Sequence, residues 1–380
     1  MIYLDNAATT HKKPFKTYWA IFKGITTYNA NPSRGSHNLS IKAGLKVEEC
    51  RERIKNFVNA PESANVVYTY NCTEAINIAL QGSLNKNSHV VITTFEHNAV
   101  LRTLHALKNK KVTYSVVTPN KQGNITLKEI KENLKDNTKM IIINHTSNVT
   151  GKTTELKEIG DFCKQNHILF MVDCAQSAGH NKIDMINNNI NFVSLAGHKG
   201  LFGTQGIGAL VINNTEPKPL KFGGSGTNSE SKNMPEYYPD KLEAGTINTL
   251  GILALDGGIQ FVQKNIEKIN KKTNKLTQIL LNYLKQNNNY IVYSQNDCCG
   301  VVSFNHKQIE TQEIVNYLNE NKICVRGGLH CAPLAHNYLK TLNTGTVRVS
   351  ISYFNTIKEI KKLIKVLNKL DEVKTKNLHN

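Results

Sequence analysis

The chain has 380 residues, 39% hydrophobic and 20% charged, which is typical of a globular protein and long enough for two domains. It has no apolar run of about 18 residues, which argues against a transmembrane helix. The N-terminus lacks a signal-peptide pattern, so we expect a cytoplasmic protein. The formal net charge of +18 is spread along the helices, and we interpret it as compositional bias, with nucleic-acid binding unlikely to be the main role.

The eight cysteines contain no CxxC pair, so neither a disulfide framework nor a metal site is expected. Most of them are expected to be small core residues. They are Cys50, Cys72, Cys163, Cys174, Cys298, Cys299, Cys324 and Cys331.

Strands and helices alternate over the first part of the chain. Strands are predicted at Ile2–Leu4, Val66–Thr69, His89–Thr93, Val112–Val117, Met140–Asn144, Ile168–Val172, from Phe192 onward and at Ala209–Ile212. Helices are predicted at residues 14–24, 39–58, 73–81, 99–107, 127–134 and 154–165, with a polar loop at 29–38. This alternation indicates a mostly parallel sheet covered by helices, in which ligands bind at the carboxyl ends of the strands.

A long helix over Thr249–Lys285 is predicted to lead into a second, smaller domain. Its predicted strands are 290–293, 301–304 and 346–350, and its predicted helices are 312–321 and 357–370. We therefore expect a large domain over residues 14–256 and a small domain over 257–380. The N-terminal segment 1–13 is expected to pack near the small domain.

The stretch Phe192–Gly208, FVSLAGHKGLFGTQGIG, begins as a buried strand and breaks into glycines around Lys199. A lysine just past a buried strand is partly desolvated, which lowers its pKa and suits an amine that forms a Schiff base with an aldehyde cofactor. The glycines would let the backbone approach a planar ligand closely. A solvated loop lysine would give the same local pattern.

Polar residues follow several other predicted strands. Thr73, within Cys72-Thr73-Glu74, opens a helix and suits a phosphate cradle, although a plain helix cap explains this residue better when it is taken alone. His97 is suited to stacking on a ring and moving a proton, or to capping a helix. Asn148 is suited to a hydrogen bond with a ring oxygen, or to a turn.

Asp173 ends the apolar run Phe170-Met-Val-Asp and gives a sharper signal. A carboxylate buried at a strand end needs a partner, and a protonated pyridine nitrogen would serve. A phosphate cradle, a stacking histidine, this aspartate and Lys199 together indicate pyridoxal phosphate.

Ten blocks in order, which begin at Tyr3 and cover almost the whole chain, resemble the cysteine desulfurase family of class V aminotransferase-fold enzymes. They are YLDNAATT, NPSRGSHNLS, NCTEAINIAL, FEHNAVL, HTSNVTG, MVDCAQSAGH, SLAGHKGLFGTQGIGAL, LEAGTINT, RGGLHCAPLAH and TVRVSISYFNT. The resemblance implies the α/β fold type I of pyridoxal-phosphate enzymes, with a mostly parallel seven-stranded sheet and a smaller C-terminal α+β domain. It also implies a homodimer with active sites at the subunit interface.

The resemblance gives the candidate residues their roles. Lys199 would bond to the cofactor aldehyde, Asp173 would pair with the ring nitrogen, Gln176 with the ring hydroxyl, and His97 would stack on the ring. The phosphate would be held by Thr73, Ser194, His198 and, across the subunit interface, Thr246. Cys72 is also expected among the cofactor-binding residues. Asn148, Arg326 and Arg348 would bind the substrate on its carboxylate side, since an arginine guanidinium binds a carboxylate through two hydrogen bonds.

Cys331 carries the specific chemistry that the resemblance implies. It lies in RGGLHCAPLAH beside Arg326 and His330, and cationic neighbours favour the reactive thiolate. Two positions depart from the family pattern. Cys72 stands where a small residue or threonine is usual, and Leu329 where one subgroup has a second histidine. The short loop is similar to that of the selenocysteine lyase-like subgroup.

The implied activity is conversion of L-cysteine to L-alanine, with the sulfur carried as a persulfide on Cys331 to an acceptor protein, as in iron–sulfur cluster assembly. A selenocysteine lyase, or a β-lyase that releases sulfide, would use the same fold. A more distant alternative is a basic RNA-binding or scaffold protein that has lost catalysis. Lys199, Asp173, His97, Cys331 and Arg348 are all present, which argues against that alternative.

Overall fold

The computed structural model describes residues 1–32 and 35–377, so Ser33 and Arg34 of the predicted polar loop lie outside it. The chain divides into two compact units. The larger unit comprises residues 13–145 and 154–264, and the smaller comprises 1–12, 146–153 and the chain from 265 onward. No helix in the described residues is both long and apolar enough to cross a membrane.

The helices of the described chain are α1 (Phe15–Thr26), α2 (Asn38–Phe57), α3 (Cys72–Ser83), α4 (Asn98–Ala106), α5 (Leu127–Lys131), α6 (Lys157–Gln165), α7 (Thr249–Gln286), α8 (Thr311–Glu320), α9 (Pro333–Tyr338) and α10 (Ile357–Asn377). The strands are β1 (Ile2–Tyr3), β2 (Asn65–Thr69), β3 (His89–Thr93), β4 (Thr113–Val117), β5 (Thr138–Asn144), β6 (Leu169–Asp173), β7 (Phe192–Ala196), β8 (Gly208–Ile212), β9 (Tyr290–Val292), β10 (Val301–His306), β11 (Ile323–Cys324), β12 (Arg326–Gly328) and β13 (Thr346–Ser350).

The larger unit is built on a seven-stranded sheet, which among the described residues has the order β2-β8-β7-β6-β5-β3-β4. Only β8 runs against its neighbours, so the predicted mostly parallel sheet is confirmed. Every residue of β3, β7 and β8 is buried, which explains their nearly continuous apolar sequences. The carboxyl ends of the six parallel strands, at Thr69, Thr93, Val117, Asn144, Asp173 and Ala196, share one edge of the sheet.

The smaller unit contains an antiparallel sheet of order β12-β13-β10-β9 and a parallel pair, β1 with β11. Its core includes Leu280, Phe304, Leu318 and Leu367, all fully buried. The first residues of the chain are bound into this unit. The amide of Leu4 donates to the Cys324 carbonyl at 2.9 Å, and the Leu4 carbonyl accepts from Ser350 N at 2.7 Å.

Three short elements, β11, β12 and α9, were not predicted. They have two, three and six residues, which is too short for a recognisable hydrophobic period. The predicted boundary between residues 256 and 257 lies inside α7, and the two units divide after Lys264 instead.

The segment Thr146–Thr153 belongs to the smaller unit, although it lies between strands of the larger one. Ser303 Oγ donates to the Val149 carbonyl at 2.6 Å, and Cys299 N donates to the Gly151 carbonyl at 2.9 Å. The placement of this segment in the smaller unit could not be predicted, because contacts between distant segments leave no local pattern in the sequence.

The glycines around Lys199 allow close packing between backbone segments. A β-carbon on Gly200 would lie 2.2 Å from the Ala178 carbonyl oxygen, and one on Gly197 would lie 2.8 Å from the Ile207 carbonyl oxygen. These distances are shorter than van der Waals contact. These two glycines therefore allow close packing within the protein itself, and the predicted approach of this loop to a planar ligand stays a prediction.

Candidate active site

Lys199 lies half-buried in the loop after β7, beyond Gly197 and His198, as the sequence predicts. His198 beside it has its pKa lowered to about 4, by burial first and then by the charges of Lys199 and Lys13. Lys13 Nζ donates to the His198 carbonyl at 3.1 Å, and burial lowers the pKa of Lys13 to about 8. Sequence reasoning missed Lys13, because it is remote from this loop in the chain and belongs to a lysine-rich sequence.

Asp173 ends β6 and is 3% exposed. Its Oδ1 accepts hydrogen bonds from Ala175 N at 2.9 Å and from the Cys72 thiol at 3.4 Å. Among the described residues no basic side chain forms an ion pair with Asp173. A buried carboxylate with so few donors suits a cationic partner that a ligand supplies.

Cys72 is the first residue of α3, and Asn71 is the helix cap, its side chain accepting from Glu74 N at 2.9 Å. Thr73 therefore does not cap the helix, and it lies exposed in the first turn. Burial raises the pKa of the Cys72 thiol, the Asp173 carboxylate adds to this rise, and the Ser194 hydroxyl and Lys199 oppose it.

Ser194 is fully buried on β7, where it lies opposite Asp173 in the register of the sheet. Gln176 is half-buried in the turn after β6, and Thr246 is exposed between β8 and α7. The proposed contacts of these three residues with the cofactor stay predictions.

His97 caps α4, since its Nδ1 accepts from Ala99 N at 3.0 Å. The capping role that the sequence left open is therefore present. Because Nδ1 acts as the acceptor, the ring proton of the neutral imidazole is on Nε2. Stacking on a cofactor ring is compatible with this cap, and it stays a prediction.

Glu96 was overlooked, although the sequence places it next to His97. It is completely buried, and its Oε1 accepts from Thr93 Oγ1 and from Asn144 N, both at 2.8 Å. Burial raises the pKa of Glu96 to about 8, against the effect of these hydrogen bonds, and the Asp173 charge adds to the rise. Glu96 therefore holds a proton at neutral pH.

A second cluster lies in the smaller unit around Arg348 of β13, which is 2% exposed. Arg348 Nη2 donates to Asp5 Oδ1 at 2.9 Å, and Nη1 donates to the Asn148 carbonyl at 3.1 Å. Its Nε has no hydrogen-bond partner among the described residues. Arg326 of β12 pairs with Arg348 in the sheet register. The three predicted substrate residues are therefore together, and Asp5 is an addition that the sequence did not indicate.

Cys331 is exposed, whereas the other seven cysteines, all within the described chain, are buried or partly buried. The expectation that His330 supplies a positive charge beside it is wrong. Burial first, then the charges of Arg348 and His336, lower the pKa of His330 to about 2, so its imidazole is neutral. Burial lowers the pKa of Arg348, and the charge of Asp5, followed by the smaller effect of Cys331, opposes this lowering.

Comparison with known proteins agrees with this fold. The aminotransferase class-V family model matches residues 2–363. A probable cysteine desulfurase of Methanothermobacter thermautotrophicus is 33% identical over 379 residues, covering 97% of this chain and 94% of the relative. One of Pyrococcus abyssi is 33% identical over 386 residues, with coverages of 97% and 94%. The solved cysteine desulfurase of Thermococcus onnurineus superposes with a TM-score of 0.89 at 29% identity, covering 97% of this chain and 94% of that one.

The chain therefore belongs to the aminotransferase class-V family and, within it, to the cysteine desulfurases.

The buried Glu96 predicts a pH dependence of folding. Between pH 4.5, its ordinary pKa, and about 8, the folded chain keeps a proton that the unfolded chain releases, so this residue makes stability fall as pH rises. Glu96→Gln should remove that component and flatten the dependence. The test measures the free energy of unfolding by denaturant at several pH values in this window, for wild type, Glu96→Gln and the exposed control Glu158→Gln. Equal slopes for Glu96→Gln and wild type would contradict the prediction.

Proposed function

We propose that the protein is a pyridoxal-phosphate-dependent cysteine desulfurase. It converts L-cysteine to L-alanine and receives the sulfur on Cys331 before passing it to an acceptor protein. The observation that carries the proposal is the exposed Cys331 thiol in one cluster with a buried arginine that still has an unpartnered N–H group. Membership of the cysteine desulfurases supports it.

The residues of the larger unit fit pyridoxal phosphate. Asp173 is a buried carboxylate in need of a cationic partner, which a protonated ring nitrogen provides. The first turn of α3, with its exposed Thr73, offers backbone N–H groups for a phosphate. Lys199 would hold the aldehyde carbon. When bound, the cofactor supplies a carbonyl for the amino group of a substrate and a ring that stores the electrons released at Cα.

Arg348 is the residue suited to the substrate carboxylate. Two of its five N–H donors are used by Asp5 and the Asn148 carbonyl, and Nε remains available. Asn148 Oδ1 is also buried without a partner in the described chain. A buried guanidinium with spare donors binds a carboxylate strongly, because water does not compete.

The remaining steps use the chain's own side chains. The Lys199 amine accepts the Cα proton of the substrate. The Cys331 thiolate then attacks the substrate sulfur, so that a sulfur–sulfur bond forms as the Cβ–S bond breaks. The electron pair of the broken bond stays on Cβ, which is protonated and leaves as part of alanine. The persulfide on Cys331, being exposed, is accessible to an acceptor.

A homodimer forms part of the proposal. Helix α1 exposes an aromatic stripe, in which Phe15 is 77% exposed, Trp19 49% and Phe22 52%. Trp19 stacks on both of the others, at ring-centroid distances of 6.4 and 5.3 Å. Exposed apolar surface of this kind is typical of subunit interfaces, and a twofold axis would bury the same stripe of each protomer.

The role of Lys199 gives the first test of the proposal. Wild-type protein reconstituted with pyridoxal phosphate should be yellow, and Lys199→Ala should lose alanine formation from L-cysteine by about a hundredfold to ten-thousandfold, because it removes both the covalent anchor and the base. The exposed control Lys164→Ala should retain both properties. A wild type that stays colourless after reconstitution would contradict the proposed cofactor.

Cys331 separates desulfuration from other chemistries on this fold. Cys331→Ala should keep the cofactor absorbance but lose alanine formation from L-cysteine by orders of magnitude, because no thiolate takes up the sulfur. Cys324→Ala serves as the control. Alanine release and protein-bound sulfane sulfur are measured together for both variants.

Alanine formation at the wild-type rate by Cys331→Ala, with free sulfide as the second product, would favour a β-lyase instead. Activity that survives only with L-selenocysteine would favour a selenocysteine lyase.

A further inference from the structure

The turn that presents Cys331 has an unfavourable backbone. His330 has a φ of +49° and Cys331 a φ of +59°, so two consecutive residues with side chains adopt the left-handed conformation. Each such residue persists only when its surroundings hold it. One hydrogen bond, from Ala332 N to the Leu329 carbonyl at 2.9 Å, closes the turn from within.

Two side chains hold the turn from outside. Asn148 Nδ2 donates to the His330 carbonyl at 2.6 Å, the carbonyl of the peptide that joins the two left-handed residues. The His330 imidazole is fixed as well, with Nε2 at 3.1 Å from both the carbonyl and the hydroxyl oxygen of Thr346. Because His330 is neutral, its Nε2–H donates to that carbonyl.

Asn148 is in turn held by Arg348, whose Nη1 donates to the Asn148 carbonyl at 3.1 Å. Asp5 binds the same guanidinium through Nη2 at 2.9 Å. Asp5 is fixed by its neighbours, since Leu4 pairs with both Cys324 and Ser350 and the Ala7 amide donates to Ser350 Oγ at 2.9 Å. An unbroken chain of contacts therefore connects Asp5 to the Cys331 turn.

We propose that Asp5 is a positioning residue for Cys331, acting through Arg348 and Asn148. The inference rests on the proposed function, because it gives the sulfur-accepting thiol and the carboxylate-binding arginine one shared support. By accepting a hydrogen bond from Nη2, Asp5 orients the guanidinium of Arg348, so that Nη1 binds the Asn148 carbonyl and Nε stays available. Asn148 then holds the left-handed turn through the His330 carbonyl.

The burial of Arg348 explains why loss of the Asp5 charge should disturb the turn. When one partner of a buried ion pair is removed, the other charge is left uncompensated and reorients toward solvent or another acceptor. Arg348 is 2% exposed, and Asp5 is its ion-pair partner in the described chain. Loss of the Asp5 charge should therefore release Asn148 and loosen the turn.

The test is amide hydrogen exchange on cofactor-loaded protein without cysteine, so that it requires no turnover. Asp5→Asn should speed exchange in the peptide that contains Ala332 by about tenfold or more, as expected for the loss of a hydrogen bond to a charged group. Exchange in β10, in the core of the same unit, should stay unchanged. Asn148→Ala leaves the Asp5–Arg348 pair intact and should loosen the same turn.

Two further variants separate positioning from general destabilisation. Asp5→Glu restores a carboxylate and should bring exchange at Ala332 back toward the wild-type rate. Glu320→Gln removes an exposed carboxylate of the same unit and should change nothing. Unchanged exchange at Ala332 in Asp5→Asn would overturn the proposal, and so would an equal rise in β10. If the wild-type protein forms no alanine from L-cysteine but Asp5→Asn still speeds exchange only at Ala332, the proposed function is contradicted and the positioning role of Asp5 is retained.

Discussion

The buried carboxylate of Asp173 is the constraint on which the larger unit's site depends. Burying a charge without an opposite charge costs several kcal/mol, and the described chain offers Asp173 an amide, a thiol and no basic partner. The sheet brings the carboxyl ends of six parallel strands to the same edge, so the polar groups that a ligand would need collect around this carboxylate. Glu96, buried near it, remains protonated and adds no second negative charge at neutral pH.

In the smaller unit, the buried charge of Arg348 is compensated by another residue of the chain. Arg348 receives its counter-charge from Asp5, at the start of the chain, because β1 and the residues after it are paired with β11 and β13. The arginine is therefore compensated before any ligand arrives, and it retains a donor for one. The same guanidinium supports the exposed thiol of Cys331 through Asn148. In the function that we propose, one buried cation would thus serve both substrate binding and the geometry of the sulfur acceptor.

The features that could be predicted from the sequence are those that a local pattern of residues determines. The strands β3 to β8 and the positions of Asp173 and Lys199 at strand ends were predictable, because hydrophobic runs and glycine breaks mark them directly. Fold class and family followed from ordered motifs spanning the chain, and the comparisons confirm both. The exchange of residues 146–153 into the smaller unit, the Asp5–Arg348 pair and the neutral state of His330 depend on long-range packing and burial, which no window of sequence contains.

The proposed function requires that sulfur from cysteine passes to Cys331. The most direct measurement treats cofactor-loaded protein with one equivalent of L-cysteine, without acceptor or reductant, and locates the added sulfur by peptide mass spectrometry. We expect the peptide containing Cys331 to gain the mass of one sulfur atom as alanine is released in equal amount. Sulfur found on another cysteine, or released entirely as sulfide while that peptide is unchanged, would contradict it.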